Sequence, residues 1–369
     1  MPPQEAGSVS AALQAHLRQA IVAAGGWLPF DDYMARALYT PGLGYYASQR
    51  AKLGRMPQDG SDFVTAPELS PLFGRTLAVQ VAQVLQQVPG GEVVEFGAGT
   101  GVLAADVLDG LAELGHPDAA YTIVELSADL RARQQARLAR FGTRVRWADA
   151  WPSAIRGVVL GNEVLDAMPV KLLHLDGPAW AERGVALQGD ALVFADRPTA
   201  RQPPHAGPFV PGTVTEVHPQ AEAFVRSLAA QMADGAAFFI DYGFPEAEYY
   251  HPQRTGGTLM CHRAHRADAD PLQDPGEKDI TAHVNFTGIA LAGQEAGLEV
   301  LGYTSQGRFL INCGLVDRLA RADVRERVLA QKLVAEHEMG ELFKVIGFAT
   351  PGLAVDAIGF REGDRSHRL

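Results

Sequence analysis

The chain has 369 residues, 47% of them hydrophobic, enough to bury a large core together with an accessory lobe. Its formal net charge of −11 argues against general nucleic-acid binding, whose affinity comes mainly from cations on phosphate. Only two cysteines occur, Cys261 and Cys313, which excludes a disulfide scaffold and a paired-cysteine metal knuckle, and no stretch reaches the apolar length of a membrane span.

Residues 1–90 read as an N-terminal segment of helices and loops, with Leu13, Leu17 and Ile21 at helical spacing. Glu5 and a single arginine in the first thirty residues do not fit an arginine-rich organelle transit peptide, so a bacterial cytoplasm is the expected setting. Asp62, Thr65 and Glu68 fall in a proline-interrupted stretch that cannot continue as a plain helix. This segment either packs over a sheet edge or forms a lid whose polar residues face a substrate.

Residues 91–171 carry the first part of an alternating β/α core. Val93 and Val94 lead through Glu95 into Gly97, Ala98, Gly99 and Gly101, and a helical pattern with Leu103, Val107 and Leu108 on one face follows. Gly97-x-Gly99-x-Gly101 is not the G-x-G-x-x-G that cradles a pyrophosphate. The closer spacing suits a cofactor without phosphates whose amino-acid portion lies on backbone N–H groups. S-adenosylmethionine (SAM) fits, its carboxylate favoured by the positive end of the helix. Tyr121 to Val124 reads as the next strand and ends at Glu125 and Leu126, with Glu125 placed to hold ribose hydroxyls. The alternative for Glu125 is a first-turn acid of the helix expected over 127–141. The strand 144–148 ends at Asp149 and Ala150, where such folds contact adenine, although Asp149 also suits a turn before Pro152. The strand 157–161 then runs into Asn162, Glu163 and Asp166, at the strand end where open α/β sheets bind ligands. Glu163 and Asp166 stand three apart and suit a cationic acceptor; the alternative is a solvated helix start.

Residues 172–212 read as a short-strand insertion around the run 191–195, with prolines breaking its ends. In the remainder, 213–369, the core resumes: a helix over 219–234, a strand over 236–241 ending in Asp241 and Tyr242, and a helix near 287–297. A further amphipathic helix is expected over 317–338. Cys261, His262 and His265 superficially resemble a metal cluster, but Arg263 and Arg266 place cations beside it and no second ligand pair is evident, so no metal is expected. Asp279, Thr281 and His283 precede a helix and suit either capping or a substrate groove.

The segment from Asn162 to Val170 resembles the Asn-Glu-x-x-Asp-Ala-x-Pro-Val segment of the MidA-like SAM-dependent methyltransferases. Phe30-x-x-Tyr33-Met34, Leu38-Tyr39-x-Pro41-x-x-Gly44-Tyr45-Tyr46 and the stretch from Asp62 to Glu68 with Phe73-Gly74 fit the same family. So do Ile240 to Gly243, Gly257-Thr258-Leu259, Gly276 to Phe286, Gln306-x-x-Phe309-Leu310 and Met339 to Val345, in the same order along nearly the whole chain. One departure is Ser61, where the family has glycine, after an insertion-like Met56-Pro-Gln-Asp-Gly60. The resemblance implies a Rossmann-like class I methyltransferase core with inserted accessory elements. It also implies transfer to an arginine of a partner protein, since mitochondrial members are complex I assembly factors that methylate a complex I subunit.

On that basis Glu163 and Asp166 are the expected catalytic carboxylates, with Asn162 aligning the donor. Asp62, Thr65, Glu68, Asp241, Tyr242, Asp279, Thr281 and His283 are the expected substrate-facing residues. Guanidinium is a poor nucleophile, protonated and delocalised; carboxylates can hold its planar fork bidentately and accept the released proton. Methylation of another acceptor, such as a small amine, and a SAM-binding assembly protein without turnover remain open alternatives. The oligomeric state is not legible.

Overall fold

The computed structural model describes residues 3–47, 65–264 and 266–369, with side chains from residue 10 onward. Asp62, Ser61 with the insertion before it, and His265 lie outside the described residues. The chain divides into two compact units: Met1–Phe63 with Asp166–Ala221 and Phe244–Asn285, and Val64–Leu165 with Glu222–Gly243 and Phe286–Leu369.

The second unit is built on a sheet. Across it the strands run Val145–Ala148, Tyr121–Val124, Glu92–Phe96, Ile155–Asn162, Met232–Phe244, Phe343–Ala349 and Glu299–Ser305. The first five pair in parallel, as an α/β core with helical crossovers requires. Phe343–Ala349 runs antiparallel to both of its neighbours. Chain order reverses between Glu92–Phe96 and Ile155–Asn162, and the crevice beyond the carboxyl ends of such a pair is where open α/β sheets take ligands.

Two helices pack closely beside this point. Pro71 opens Pro71–Gln87 where its missing N–H is no loss, and the Ser70 hydroxyl accepts from the Leu72 N–H at 3.2 Å. Helix Val102–Glu113 buries Leu103, Val107, Leu108 and Leu111 against it. The approach depends on small residues: a Cβ on Gly74 would stand 2.6 Å from that of Asp106, and one on Gly110 2.7 Å from that of Ala78.

The amphipathic helix expected over 317–338 is instead two helices, Leu315–Arg321 and Val324–Gln331, followed by turns. Ala322 is extended (φ −73°, ψ 155°), and Asp323 starts a new helix by accepting from the Glu326 N–H at 2.8 Å. Asp-x-x-Glu is a capping pattern, and here it outweighs the continuous apolar periodicity.

In the first unit, Leu13, Leu17 and Ile21 are fully buried along helix Pro3–Ala23, as their spacing predicts. Helix Phe30–Tyr39 buries Phe30, Tyr33, Met34, Ala37 and Leu38. An antiparallel sheet follows the order Trp27–Pro29, Ala179–Gln188, Lys171–Asp176, Val214–Val217, with Ala191–Pro198 also on Ala179–Gln188. The insertion is therefore richer in strands than its run at 191–195 indicates. Gly177 and Gly189, both at φ +60°, close two hairpins that the proline-weighted reading passes over. A small sheet of Arg266–Asp268, Met260–Arg263 and Asp279–Thr281 completes the unit. Among the described residues no helix is long and apolar enough to cross a membrane.

Candidate functional site

The glycine turn sits at the carboxyl end of Glu92–Phe96, directly beside the end of Ile155–Asn162, with Phe96 registered on Gly161. Gly97, Gly99 and Gly101 have φ of +67°, +51° and +80°, a region that side-chain-bearing residues adopt only at a cost. A Cβ on Gly97 would also meet Val164 Cγ2 at 2.7 Å. The turn thus presents bare backbone at the switch point of the sheet.

Glu125 ends the neighbouring strand and is buried. Its Oε1 accepts from the Ser127 N–H at 2.7 Å, and its Oε2 from Gln134 Nε2 at 3.0 Å. Burial pushes its carboxyl above the ordinary range, opposed by those hydrogen bonds. The Ser127 hydroxyl accepts from the Leu130 N–H at 3.4 Å, so Glu125 stands before the helix Ala128–Leu138 rather than in its first turn. Leu126 is 81% exposed and Trp151 38%. Trp151 forms an aromatic cluster with Phe96 and Phe224, at centroid separations of 4.8 and 5.0 Å. Asp149 and Ala150, just before it, are exposed.

Glu95 is buried in the strand before the glycine turn. It is 1% exposed and accepts from the Tyr121 hydroxyl at 2.8 Å. Burial raises its carboxyl to about 8, against the Tyr121 hydrogen bond and with a further push from Glu125. Raised above the unfolded value of 4.5, this group costs the fold nothing below pH 4.5 and progressively more as pH climbs toward 8. Glu95→Gln is therefore expected to raise the ligand-free thermal midpoint by several degrees at pH 8, and far less at pH 4.5; an advantage independent of pH would refute the burial account.

Asn162 ends its strand with 8% exposure. Its Nδ2 donates to Glu163 Oε1 at 3.1 Å, while its buried Oδ1 has no partner among the described residues. Glu163 has φ +53°, a left-handed conformation unusual for glutamate, and is half-buried. Its N–H donates to the Ile240 carbonyl at 2.9 Å. Asp241 holds the following residues: Oδ2 accepts from the N–H groups of Val164 (3.2 Å) and Leu165 (2.9 Å), and Oδ1 from that of Tyr242 (2.9 Å). Tyr242 packs edge-on against Phe343. Glu68, in the short helix Ala66–Leu69, accepts from the Thr100 hydroxyl of the glycine turn, and Thr65 precedes that helix without a side-chain cap bond.

In the first unit a second grouping forms. Asp166 is 4% exposed and its carbonyl accepts from the Ala282 N–H at 3.0 Å. Tyr39 donates to the Ala167 carbonyl at 2.8 Å and stacks on Tyr46 at 5.6 Å. Tyr46 donates to Asp279 Oδ2 at 2.9 Å. Its phenol is raised well above the ordinary value, first by burial and then by the charges of Asp279 and Asp166. Thr281, 2% exposed, has an Oγ1 with no partner among the described residues. His283 stacks on Phe244, and its N–H donates to Thr258 Oγ1 at 3.0 Å. The structure thus brings Asp166 and Asp279 together with two tyrosines to which the sequence attaches no chemistry.

Thr258 belongs to a buried support. Glu216, fully buried, accepts from the N–H groups of Thr258 (2.8 Å) and Leu259 (3.0 Å) and from the Tyr249 hydroxyl (2.8 Å). Gly257, at φ +72°, allows this wrap, because a Cβ there would lie 2.3 Å from Glu216 Oε1. Gly257→Ala is expected to destabilise the protein by more than about 2 kcal/mol in denaturant unfolding; a change under about 0.5 kcal/mol would refute the clash. Cys261 is buried and its thiol is pushed up to about 12 by that burial.

A parallel sheet reversing its order beside a three-glycine turn, with a buried acid ending the next strand, defines a nucleoside-binding α/β protein. The chain belongs to the family described as "Putative S-adenosyl-L-methionine-dependent methyltransferase", whose model matches residues 76–304. It is 52% identical to a Burkholderia thailandensis protein crystallised with S-adenosyl-homocysteine, with a TM-score of 0.96 over 100% of this chain and 99% of that one. A native crystal structure from the same organism matches at 51% identity, TM-score 0.91 and the same coverage. The Caenorhabditis elegans protein arginine methyltransferase NDUFAF7 homolog, mitochondrial, is 26% identical over 363 residues, 88% of this chain and 83% of that protein. The human protein arginine methyltransferase NDUFAF7, mitochondrial, is 27% identical over 365 residues, 86% and 79% of the two chains. S-adenosylmethionine is thus the methyl donor of an enzyme with this fold.

Proposed function

We propose that this enzyme methylates an arginine side chain of a partner protein. The observation that carries the reading is the grouping of Asp166 and Asp279 with the stacked pair Tyr39 and Tyr46. Carboxylates match the planar fork of a guanidinium, and aromatic faces attract its delocalised charge. A neutral acceptor has no use for such a grouping. The arginine specificity named for the mitochondrial relatives supports the same acceptor.

The residues fit the donor. Gly97, Ala98, Gly99 and Gly101 offer backbone N–H groups to its amino-acid portion, near Glu95. Glu125 takes the ribose hydroxyls, and the exposed side chains of Leu126 and Trp151, with Asp149 and Ala150, line the base. The orphaned Oδ1 of Asn162 accepts from the donor's ammonium. When bound, SAM supplies a methyl group activated by its sulfonium. The chain's own part is to orient the guanidinium and remove its proton. Glu163 does this from a strained turn: its carboxylate, steadied by Asn162 Nδ2, localises density on one nitrogen and accepts the proton at its Oε atoms. Asp241 contributes by holding the backbone of that turn. Within the first unit, Asp166 and Asp279 offer carboxylates to a cation and Thr281 offers a hydroxyl. Thr65, Glu68 and Tyr242 in the second unit, and His283 in the first, are proposed as substrate-facing residues.

Following the resemblance set out above, the proposed acceptor protein is a respiratory complex I subunit or its bacterial equivalent. A bacterial cytoplasmic setting is part of the same proposal, and the Burkholderia thailandensis relative supports its bacterial part. The test is purified enzyme, methyl-labelled SAM and lysate from cells lacking the gene, with mass spectrometry of labelled bands. Label on an arginine of one protein is expected. Label only on small amines, or donor binding with no label, would overturn the arginine reading.

A further inference from the structure

Helix Ala128–Leu138 has two buried residues among its eleven, Leu138 and Gln134. Gln134 is fully buried and makes three hydrogen bonds through its amide. Trp147 Nε1 donates to its Oε1 at 2.9 Å, while its Nε2 donates to the Gly99 carbonyl at 2.9 Å and to Glu125 Oε2 at 3.0 Å. The orientation of this amide is not arbitrary. An indole nitrogen can only donate, so Trp147 requires the amide oxygen on its side and turns the amide N–H groups toward Gly99 and Glu125. Both acceptors are then satisfied at once. The Gly99 carbonyl and the Glu125 carboxylate belong to loops after different strands, and no other side chain bonded to Glu125 among the described residues also reaches the glycine turn. Gln134 also packs under the turn, where a Cβ on Gly101 would stand 3.3 Å from its Cγ.

We propose that Gln134, polarised by Trp147, is a positioning residue that locks the ribose acid to the glycine turn and so sets selectivity for a ligand bearing a free vicinal diol. With Oε2 fixed by Gln134 and Oε1 by the Ser127 N–H, the carboxylate cannot rotate. Its remaining lone pairs face outward in one geometry, that of two adjacent hydroxyl donors. The same amide holds the Gly99 carbonyl, so distortion of either half of the donor site reaches the other. This inference rests on the ribose role of Glu125 given above.

The experiment measures binding of S-adenosyl-homocysteine and of its 2′-deoxyribose analogue by calorimetry, for the parent and for Gln134→Leu, Gln134→Glu, Trp147→Phe and Glu125→Gln. Gln134→Leu is expected to weaken S-adenosyl-homocysteine binding about tenfold or more and to shrink the preference for ribose over deoxyribose. Methyl transfer at saturating SAM stays near the parent rate, so the loss is in KM and not kcat. Trp147→Phe, which frees the amide to flip, gives a smaller loss in the same direction. Gln134→Glu places a second carboxylate against Glu125. Its deficit relative to the parent is greatest at pH 8 and narrows by pH 6, as the introduced carboxyl takes up a proton and can again donate.

A lower thermal midpoint in Gln134→Leu with unchanged ribose preference, and a Gln134→Glu deficit independent of pH, would reduce Gln134 to a packing residue and overturn the proposal. If Glu125→Gln loses binding while the Gln134 variants keep it, this inference alone fails. If Glu125→Gln itself binds like the parent, the ribose assignment fails and takes this inference with it. Should Gln134→Leu not fold, the pH-dependent ratio for Gln134→Glu still decides the matter.

Discussion

Glu163→Gln is expected to leave S-adenosylmethionine affinity within about threefold of the parent while lowering methyl transfer by about 100-fold or more, the range for removing a general base. The asymmetry follows from geometry. The amide can keep the bond with Asn162 Nδ2 through its oxygen, so the loop and the donor site stay as they are. What disappears is the anion proposed to hold the guanidinium and receive its proton. Backbone strain supplies a second, independent readout. A glutamate at φ +53° costs on the order of 1 kcal/mol that glycine would not. Glu163→Gly should therefore match or exceed the parent in thermal midpoint while losing activity at least as completely. A protein that becomes more stable and inactive when one residue is relaxed is holding that residue for chemistry. Full activity in Glu163→Gln, measured by transfer of labelled methyl to the arginine acceptor, would remove Glu163 from the mechanism.

Gly99→Val is expected to lower S-adenosyl-homocysteine affinity by more than about 100-fold, because three constraints coincide at one position. Its φ of +51° is a conformation that a β-branched residue resists by about 1–2 kcal/mol. Its carbonyl is fixed by Gln134, so the backbone cannot rotate away without breaking that bond. The added methyl groups would stand on the bare surface that the cofactor must approach. The variant should still fold, since Gly99 is half-buried and lies outside the strand and helix it connects. Calorimetry on protein with a cooperative melt decides it; undiminished affinity would mean that the donor does not lie on this turn.

The parts of the proposed donor site that are legible in the sequence are those whose chemistry is local. Gly97, Gly99 and Gly101 announce themselves because positive φ restricts residue choice at each position. Glu125 is legible because it ends an apolar run after the expected interval. Gln134 is not, since glutamine on a helix reads as an ordinary surface residue. Only its place on the buried face with Leu138, one turn away, hints otherwise. Tyr39 and Tyr46 lie within a motif, but nothing in their spacing says that they stack, or that Tyr46 meets a carboxylate far along the chain. Asp241 was read as facing substrate, and its oxygens accept from three backbone N–H groups of Val164, Leu165 and Tyr242. An aspartate at a strand end looks the same in sequence whether it meets a ligand or a neighbouring loop.

The fold follows the same division. The parallel core was legible through its β-branched runs and glycine turns, which depend on short-range preferences. The hairpins around Gly177 and Gly189 are less so, because the prolines at 198–211 weigh against strand structure although Pro198 only ends a strand and the others fall outside it. Single helix 317–338 failed at Asp323, where one side-chain bond to a backbone N–H outcompetes the gain from continuing an exposed helix.

The position of Phe343–Ala349 has a consequence for how the polypeptide reaches its native state. This strand arrives last yet lies between Met232–Phe244 and Glu299–Ser305, not at the margin of the sheet. During synthesis the parallel half can assemble first, but Ala236–Tyr242 along its edge lack their antiparallel partner until Phe343–Ala349 has emerged. A fragment ending before residue 343 leaves two strands with open edges, each a template for pairing with another copy. Such fragments should aggregate rather than persist as a smaller donor-binding module, and a chaperone that shields β-edges would matter most before residue 349 emerges.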